Sequence, residues 1–280
     1  MSAKVSDIMS RDLVTAIVPS TTEDVVKKII QNNVTGVPVV NASGKYVGML
    51  SRKDIFENSG EDQAAMVLRK SRACHPDDSI EDAAREILSQ GRRHIAVIDD
   101  ENNVVGILTP QNFLEQISRS FGDVPVSKIY TRKVLPVWDE TPISLVHYAT
   151  QLTGLYAFPV VNREGDFVGL ITDRDLFNKI DIQNQTVISD TGLVDDQDPW
   201  TWDGIRNVVT YLIRKTSITL PDIPARDVMI SSPVYVYLHD TLSRATKLMK
   251  EKNFNQLPVL EGRVKIAGML YDTNLLEVLL

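Results

Sequence analysis

Short apolar runs recur along the chain: Val37-Pro-Val-Val40, Ile95-Ala-Val-Ile98, Phe158-Pro-Val-Val161 and Leu257-Pro-Val-Leu260. A polar turn follows, as in Asn41-Ala-Ser-Gly-Lys45 and Asn162-Arg-Glu-Gly-Asp166, and then a second strand-sized run, so each unit predicts a β-hairpin. Ahead of the hairpin the apolar positions change to helical spacing. Val25, Val26, Ile29 and Ile30 show it in the first unit, and Ala83, Ala84, Ile87 and Leu88 in the second. A second helix follows each hairpin, beginning at Asp54, Asn112, Asp175 and Asn274. The predicted order is strand, helix, strand, strand, helix.

Self-similarity at a fixed period decides architecture before any local reading does. Four copies end in one phrase: Gly48-Met-Leu-Ser-Arg-Lys-Asp54, Gly106-Ile-Leu-Thr-Pro-Gln-Asn112, Gly169-Leu-Ile-Thr-Asp-Arg-Asp175 and Gly268-Met-Leu-Tyr-Asp-Thr-Asn274. Three copies open alike, with Val5-Ser-Asp-Ile-Met9, Val126-Ser-Lys-Ile-Tyr130 and Ala225-Arg-Asp-Val-Met229; the second opens less regularly near Leu68. The phrase glycines lie about 60 residues apart through copy three and roughly 100 apart from three to four, which places an insertion near 181–224. Within it Ile205, Val208, Val209 and Leu212 have helical spacing, so Trp202 to Arg214 predicts a linking helix. The acidic stretch Asp190 to Asp198 reads as a solvated loop, and Trp200 and Trp202 as packing anchors. The fold class is α/β, built of α+β repeats at 1–60, 61–120, 121–181 and 225–280, with a helical linker at 182–224.

Composition narrows the function. A chain of 280 residues suits two units that each bury a core, and 43% apolar with 24% charged residues is ordinary for a globular protein. A net charge of -7 argues against broad nucleic-acid binding but leaves room for local basic patches that hold small anions. The first residues lack the features of a signal peptide, and no apolar run nears the roughly 20 residues that cross a bilayer. Cys74 is the only cysteine, which excludes an internal disulfide or a cysteine-rich zinc site. The expectation is a cytoplasmic protein with no membrane partner.

The phrase carries the candidate chemistry. Ser51, Thr109 or Thr172 falls where a strand gives way to a helix, beside free backbone N–H groups suited to a phosphate. An aspartate three residues on can accept hydrogen bonds from ribose hydroxyls. The same spacing is close to a capping box, which exists simply to start a helix. Basic groups stand nearby in the run Arg92-Arg93-His94 and, inside two phrases, as Arg52, Lys53 and Arg174. Arginine forks suit phosphate oxygens, and cations at a helix C-terminus also suit the dipole. His75, His147 and His239 show no ligand spacing. No nucleophile with a base, paired carboxylates, metal cage or phosphate-cradling Gly-x-x-x-x-Gly-Lys-Ser/Thr motif emerges, so the chain reads as non-catalytic and as needing no cofactor.

The Met near the opening of copies one and four (Met9, Met229), the Val-Pro-Val strand and the Gly-h-h-Thr/Ser-x-x-Asp phrase resemble the cystathionine β-synthase (CBS) domain family over nearly the whole chain. Four copies resemble its four-repeat members, such as the gamma subunit of AMP-activated protein kinase and stand-alone archaeal relatives. The resemblance implies that repeats pair as Bateman modules, here 1–120 and 121–280, packed as a flat disc. It implies AMP, ADP or ATP in clefts between repeats, sensed on behalf of a regulated protein partner, in a chain that forms a homodimer. Ribose contacts map to Asp54 and Asp175, with Asn112 and Asn274 at the same place in the other copies. Hydroxyl contacts map to Ser51, Thr109 and Thr172, and phosphate contacts to the run Arg92-Arg93-His94 and to Arg52, Lys53 and Arg174. Tyr271 replaces the hydroxyl residue in copy four, so copies one and three rank first and copy four last. S-adenosylmethionine or methylthioadenosine in the clefts, or an assembly scaffold with vestigial sites, stand as alternatives; nucleic acid ranks below both.

Overall fold

The computed structural model describes residues 3–58, 60–179, 181–190 and 210–280. The first repeat runs α1 (Val5–Ile8), β1 (Ala16–Ile17), α2 (Thr22–Gln31), β2 (Gly36–Val40), β3 (Tyr46–Ser51) and α3 (Arg52–Glu57). The second has α4 (Ala64–Val67), α5 (Ile80–Gln90), β4 (Ile95–Ile98) and β5 (Val104–Leu108), then a 3-10 turn at Pro110–Phe113 that leads into α6 (Leu114–Phe121). The third has β6 (Val137–Trp138), α7 (Ile143–Thr153), β7 (Ala157–Val161), β8 (Phe167–Thr172) and α8 (Asp173–Phe177). After β9 (Asp181–Asp190) and β10 (Thr210–Thr219), the fourth has β11 (Val236–Tyr237), α9 (Leu242–Lys252), β12 (Gln256–Glu261), β13 (Lys265–Tyr271) and α10 (Asp272–Leu276).

Three repeats realise the predicted order as a three-stranded sheet whose first pair is parallel and second antiparallel. In the second repeat the first strand shrinks to a single parallel bridge between Cys74 and Val97. Each hairpin carries a bulge at one register position: after Val39, Val97, Val160 and Val259, which pair with Gly48, Gly106, Gly169 and Gly268. The phrase glycine is needed there because a neighbouring chain segment crosses it. A Cβ on Gly48 would lie 2.5 Å from the Arg69 carbonyl, and one on Gly106 would lie 2.5 Å from Met9 Sδ. Gly169 meets Met229, and Gly268 meets Tyr130 and Thr131, in the same way. The opening segment of each repeat therefore lies on the hairpin of its partner, which pairs one with two and three with four.

Among the described residues the apolar faces close two large cores, each shared between modules, and a small third cluster of Ala157, Leu170, Met269 and Tyr271 joins repeats three and four. Val26, Ile29, Leu50 and Ile55 of repeat one pack with Val146, Phe158, Ile171 and Phe177 of repeat three. Ile87, Leu108, Phe113 and Ile117 of repeat two pack with Leu242, Met249, Leu270 and Leu276 of repeat four. Helix contacts follow this division, α3 against α8, and α10 against α5 and α6. Ile30, expected on the buried face of α2, is instead 45% exposed, since Thr22, Val25, Val26 and Ile29 already fill the stripe.

The insertion corrects the sequence reading. Where described, the segment expected to be helical to Arg214 is strand: Thr210–Thr219 pairs antiparallel with Asp181–Asp190, and Leu212 lies opposite Ile188. Thr210-Tyr-Leu-Ile-Arg-Lys-Thr-Ser-Ile-Thr219 is rich in β-branched residues, which favours an extended ladder over the helical spacing that ends at Leu212. Residues 202–209 of that expected helix, the acidic stretch beyond Asp190, Trp200 and Trp202 lie outside the described residues. Among the described residues no helix is long and apolar enough to cross a membrane, and no group of three or more His, Cys, Asp or Glu could hold a metal ion.

Candidate functional site

A cavity of about 320 Å³ opens where repeats one and two face each other and repeat three closes one side. Thr35, Met49, Ser51, Lys53, Asp54 and Glu57 line it from the first repeat, and Arg69 with Gln90 to His94 from the second. Gly154, Tyr156 and Asp173 of the third complete the wall.

Ser51 ends β3 and caps α3, so the phrase does start a helix. The Ser51 amide and hydroxyl donate to Asp54 Oδ2 at 2.9 and 2.6 Å. That uses one carboxylate oxygen. The other, Oδ1, faces the second repeat, where Arg92 Nη2 donates to it at 3.1 Å and Arg69 Nε stands 3.5 Å away. Asp54 is 3% exposed, and the two arginines bring its charge partners from a different repeat. Arg69 also donates to Glu57 Oε2 at 3.2 Å.

Deeper in, His94 Nε2 and Thr35 Oγ1 share a hydrogen bond of 2.5 Å. Burial, and then the guanidiniums of Arg93, Arg52 and Arg92, push the His94 pKa down to about 3, so the ring is neutral at physiological pH. Gly36 is small for this ring, since a Cβ there would stand 3.1 Å from His94 Nδ1. Arg93 packs 4.9 Å over the Tyr156 ring and donates at 2.5 Å to Asp272, a carboxylate of repeat four that is fully buried. Arg52 does not line the cavity. It is 3% exposed, lies 5.8 Å over Phe177 and 3.8 Å from Asp173, and its Nε has no hydrogen-bond partner. There it ties repeat one to repeat three.

The remaining sequence candidates fall elsewhere. In repeat two Thr109 donates to Asn112 Oδ1, while Asn112 Nδ2 donates to the Ile8 carbonyl at 2.8 Å and to Ser10 Oγ at 3.0 Å. An amide is required there because a carboxylate has no N–H to give, so this pair fastens repeat two to the opening of repeat one. Thr172 donates to Asp175 as Ser51 does to Asp54, and burial raises the Asp175 pKa. That pair and the half-buried Arg174 are not part of the cavity wall. Asn274 accepts from the Tyr271 amide at 3.1 Å, and Tyr271 is buried with its ring 4.9 Å from Tyr156.

Sequence reasoning missed Arg69, Glu57, Thr35, Tyr156 and Asp173. One signal was available. Thr35, Arg93, Tyr156 and Asn255 occupy the same place in the four copies, four residues before the bulged valine. The carbonyls of Thr35, Tyr156 and Asn255 accept from the amides of Arg52, Asp173 and Asp272, a bond that Pro110 cannot make in copy two. This position always sits beside the start of the second helix. Arg69 carried no such mark, because the second copy opens irregularly.

Comparison with known proteins agrees with this architecture. The family model described as "CBS domain" matches residues 5–61, 66–119, 126–182 and 225–280. An uncharacterized protein of Methanocaldococcus jannaschii is 24% identical over 186 residues, covering 64% of this chain and 44% of that protein, so the chain spans under half of that relative's length. A solved structure of an uncharacterized conserved protein from Pyrococcus horikoshii matches with a TM-score of 0.65 at 25% identity, covering 99% of this chain and all of that one (100%). Another, a M. jannaschii protein proposed as an archaeal homolog of g-AMPK, matches at 0.78 with 17% identity and 99% coverage of both, a likeness of fold. Four family matches coincide with four structural repeats: the chain belongs to the CBS domain family and carries four CBS domains in two paired modules.

Proposed function

We propose that the cavity between repeats one and two binds an adenine nucleotide, AMP, ADP or ATP, and that the chain is a non-catalytic sensor. The observation that carries this reading is the ion pair across the cavity, Asp54 of one repeat against Arg92 and Arg69 of the other. A nucleotide matches both halves with opposite chemistry. Its ribose diol donates hydrogen bonds to the Asp54 carboxylate, and its phosphate takes the guanidiniums that the carboxylate releases, both as charge-assisted bonds. The cavity wall holds four cations (Lys53, Arg69, Arg92 and Arg93) against three carboxylates (Asp54, Glu57 and Asp173), a balance that favours an anion. Its volume of about 320 Å³ stands at the lower end of the ~300–1,000 Å³ typical of small-molecule sites. The preference for adenine rests on the family.

A ligand held by both repeats favours the packing in which the two halves of its site are present, which is how occupancy would reach a protein partner. The test is thermal unfolding with AMP, ADP, ATP, GTP, adenosine, S-adenosylmethionine and methylthioadenosine. A ligand at 100 times its dissociation constant stabilises by about 2.7 kcal/mol. Stabilisation by the phosphate-bearing adenine ligands above adenosine supports the proposal. Preference for the two sulfur nucleosides moves the ligand class, and indifference to all of them leaves a scaffold.

A further inference from the structure

Helices α2, α5, α7 and α9 occupy equivalent places in the four repeats. Each begins with a buried residue, Thr22, Ile80, Ile143 and Leu242 respectively, and buries the same stripe behind it. The third, sixth and tenth residues of each helix lie on its outer face, exposed in all four. In α2 these are Asp24, Lys27 and Gln31, in α5 Asp82, Arg85 and Ser89, and in α9 Arg244, Lys247 and Glu251. In α7 alone they are Leu145, Tyr148 and Leu152, which are 57%, 56% and 68% exposed. Repeats built on one plan thus share a solvated outer face in three cases and break it in the fourth. Trp138, in β6 just ahead of α7, is a further 46% exposed aromatic of the same repeat. Clustered exposed apolar side chains of this kind mark interaction surfaces.

We propose that this face of α7 is an interface between two copies of the chain. Charge and symmetry select that occupant. From Ile143 to Thr153 the helix holds no Asp, Glu, Lys or Arg, so it offers nothing to a charged partner and does not repel its own copy. Among the described residues the other three equivalent helices all carry charge on this face. The stripe is also self-complementary. Tyr148 stands between Leu145 and Leu152, three residues from one and four from the other, so two antiparallel α7 helices related by a two-fold axis set Tyr148 against its copy. Leu145 then meets Leu152 of the second copy at both ends, the isologous arrangement of a two-fold dimer. This inference is independent of the ligand reading.

The test is sedimentation velocity of the full chain over a range of concentrations, with Tyr148→Glu, Leu145→Gln plus Leu152→Gln, and Lys27→Glu at the equivalent outer position of α2. The wild type and Lys27→Glu sediment as dimers, and both α7 variants as monomers with unchanged circular dichroism. Tyr148→Cys, treated with diamide, gives a covalent dimer, since its copy faces it across the axis and the native Cys74 is buried. A wild type that stays monomeric at every concentration, α7 variants that remain dimeric, or a Tyr148→Cys chain that does not cross-link overturns the proposal. Cover of this face by another part of the same chain gives the first of these results.

Discussion

Arg93→Met is the most informative single change to stability. Asp272 is completely buried, Arg93 Nη2 is 2.5 Å from its Oδ2, and its Oδ1 has no hydrogen-bond partner. Removing the guanidinium leaves a carboxylate in a dry interior with no cation, a loss of about 3–5 kcal/mol. At roughly 2–4 °C per kcal/mol for a chain of this size, the midpoint falls by about 6–20 °C. Removing both charges is different: Arg93→Met with Asp272→Leu recovers most of the loss, because no buried charge remains. The pH dependence has a definite sign. Burial raises the Asp272 pKa and Arg93 offsets part of that rise, so without Arg93 the folded state holds the proton more tightly than the unfolded chain, whose pKa is about 3.9. The deficit of Arg93→Met against wild type therefore shrinks as pH falls toward that value. Urea unfolding at pH 7 and pH 5 measures both effects. A loss under about 1 kcal/mol at pH 7, or a double variant no better than the single, refutes the reasoning.

Two further outcomes follow from the same packing. Gly48→Ala drives a Cβ into the Arg69 carbonyl and costs about 1–3 kcal/mol, whereas Gly60→Ala, facing open space, stays within about 0.5 kcal/mol by the same unfolding measurement. His94, with its pKa near 3 in the fold against 6.5 for the free side chain, shows no ring titration between pH 5 and 8 by NMR. The unfolded histidine takes up a proton that the folded one refuses, so stability contributed by His94 is lost progressively as pH falls from 6.5 toward about 3. A ring midpoint near 6.5 contradicts the buried, cation-ringed environment.

What the sequence made legible is what repeats reinforce. The hairpins, the helices on either side and the caps at Ser51, Thr109 and Thr172 recur in register, so each copy checks the others. The contacts between copies were harder to read, since they depend on which face meets which neighbour. Arg52 and Arg93 look alike in the sequence, yet one is buried against Asp173 and the other bridges the cavity to Asp272. Asp54 and Asp175 end phrases of one pattern, yet among the described residues Asp54 is ion-paired with arginines of a second repeat and Asp175 is not. The insertion failed for a different reason: a segment outside the repeat has no second copy to correct a helical spacing that β-branched residues override. The outward leucines of α7 are plain in the sequence, but their exposure follows only from which face of the helix the fold buries.

The central claim is that Asp54 and the facing arginines form a nucleotide site. Calorimetric titration of AMP into the wild type and Asp54→Asn tests it most directly, because asparagine keeps the oxygen that accepts from Ser51 while removing the charge. The account predicts measurable binding that weakens at least about tenfold in the variant, a difference of 1.4 kcal/mol, with an unchanged circular dichroism spectrum in the absence of ligand. Equal affinity in the two proteins, or no heat of binding with either, contradicts it.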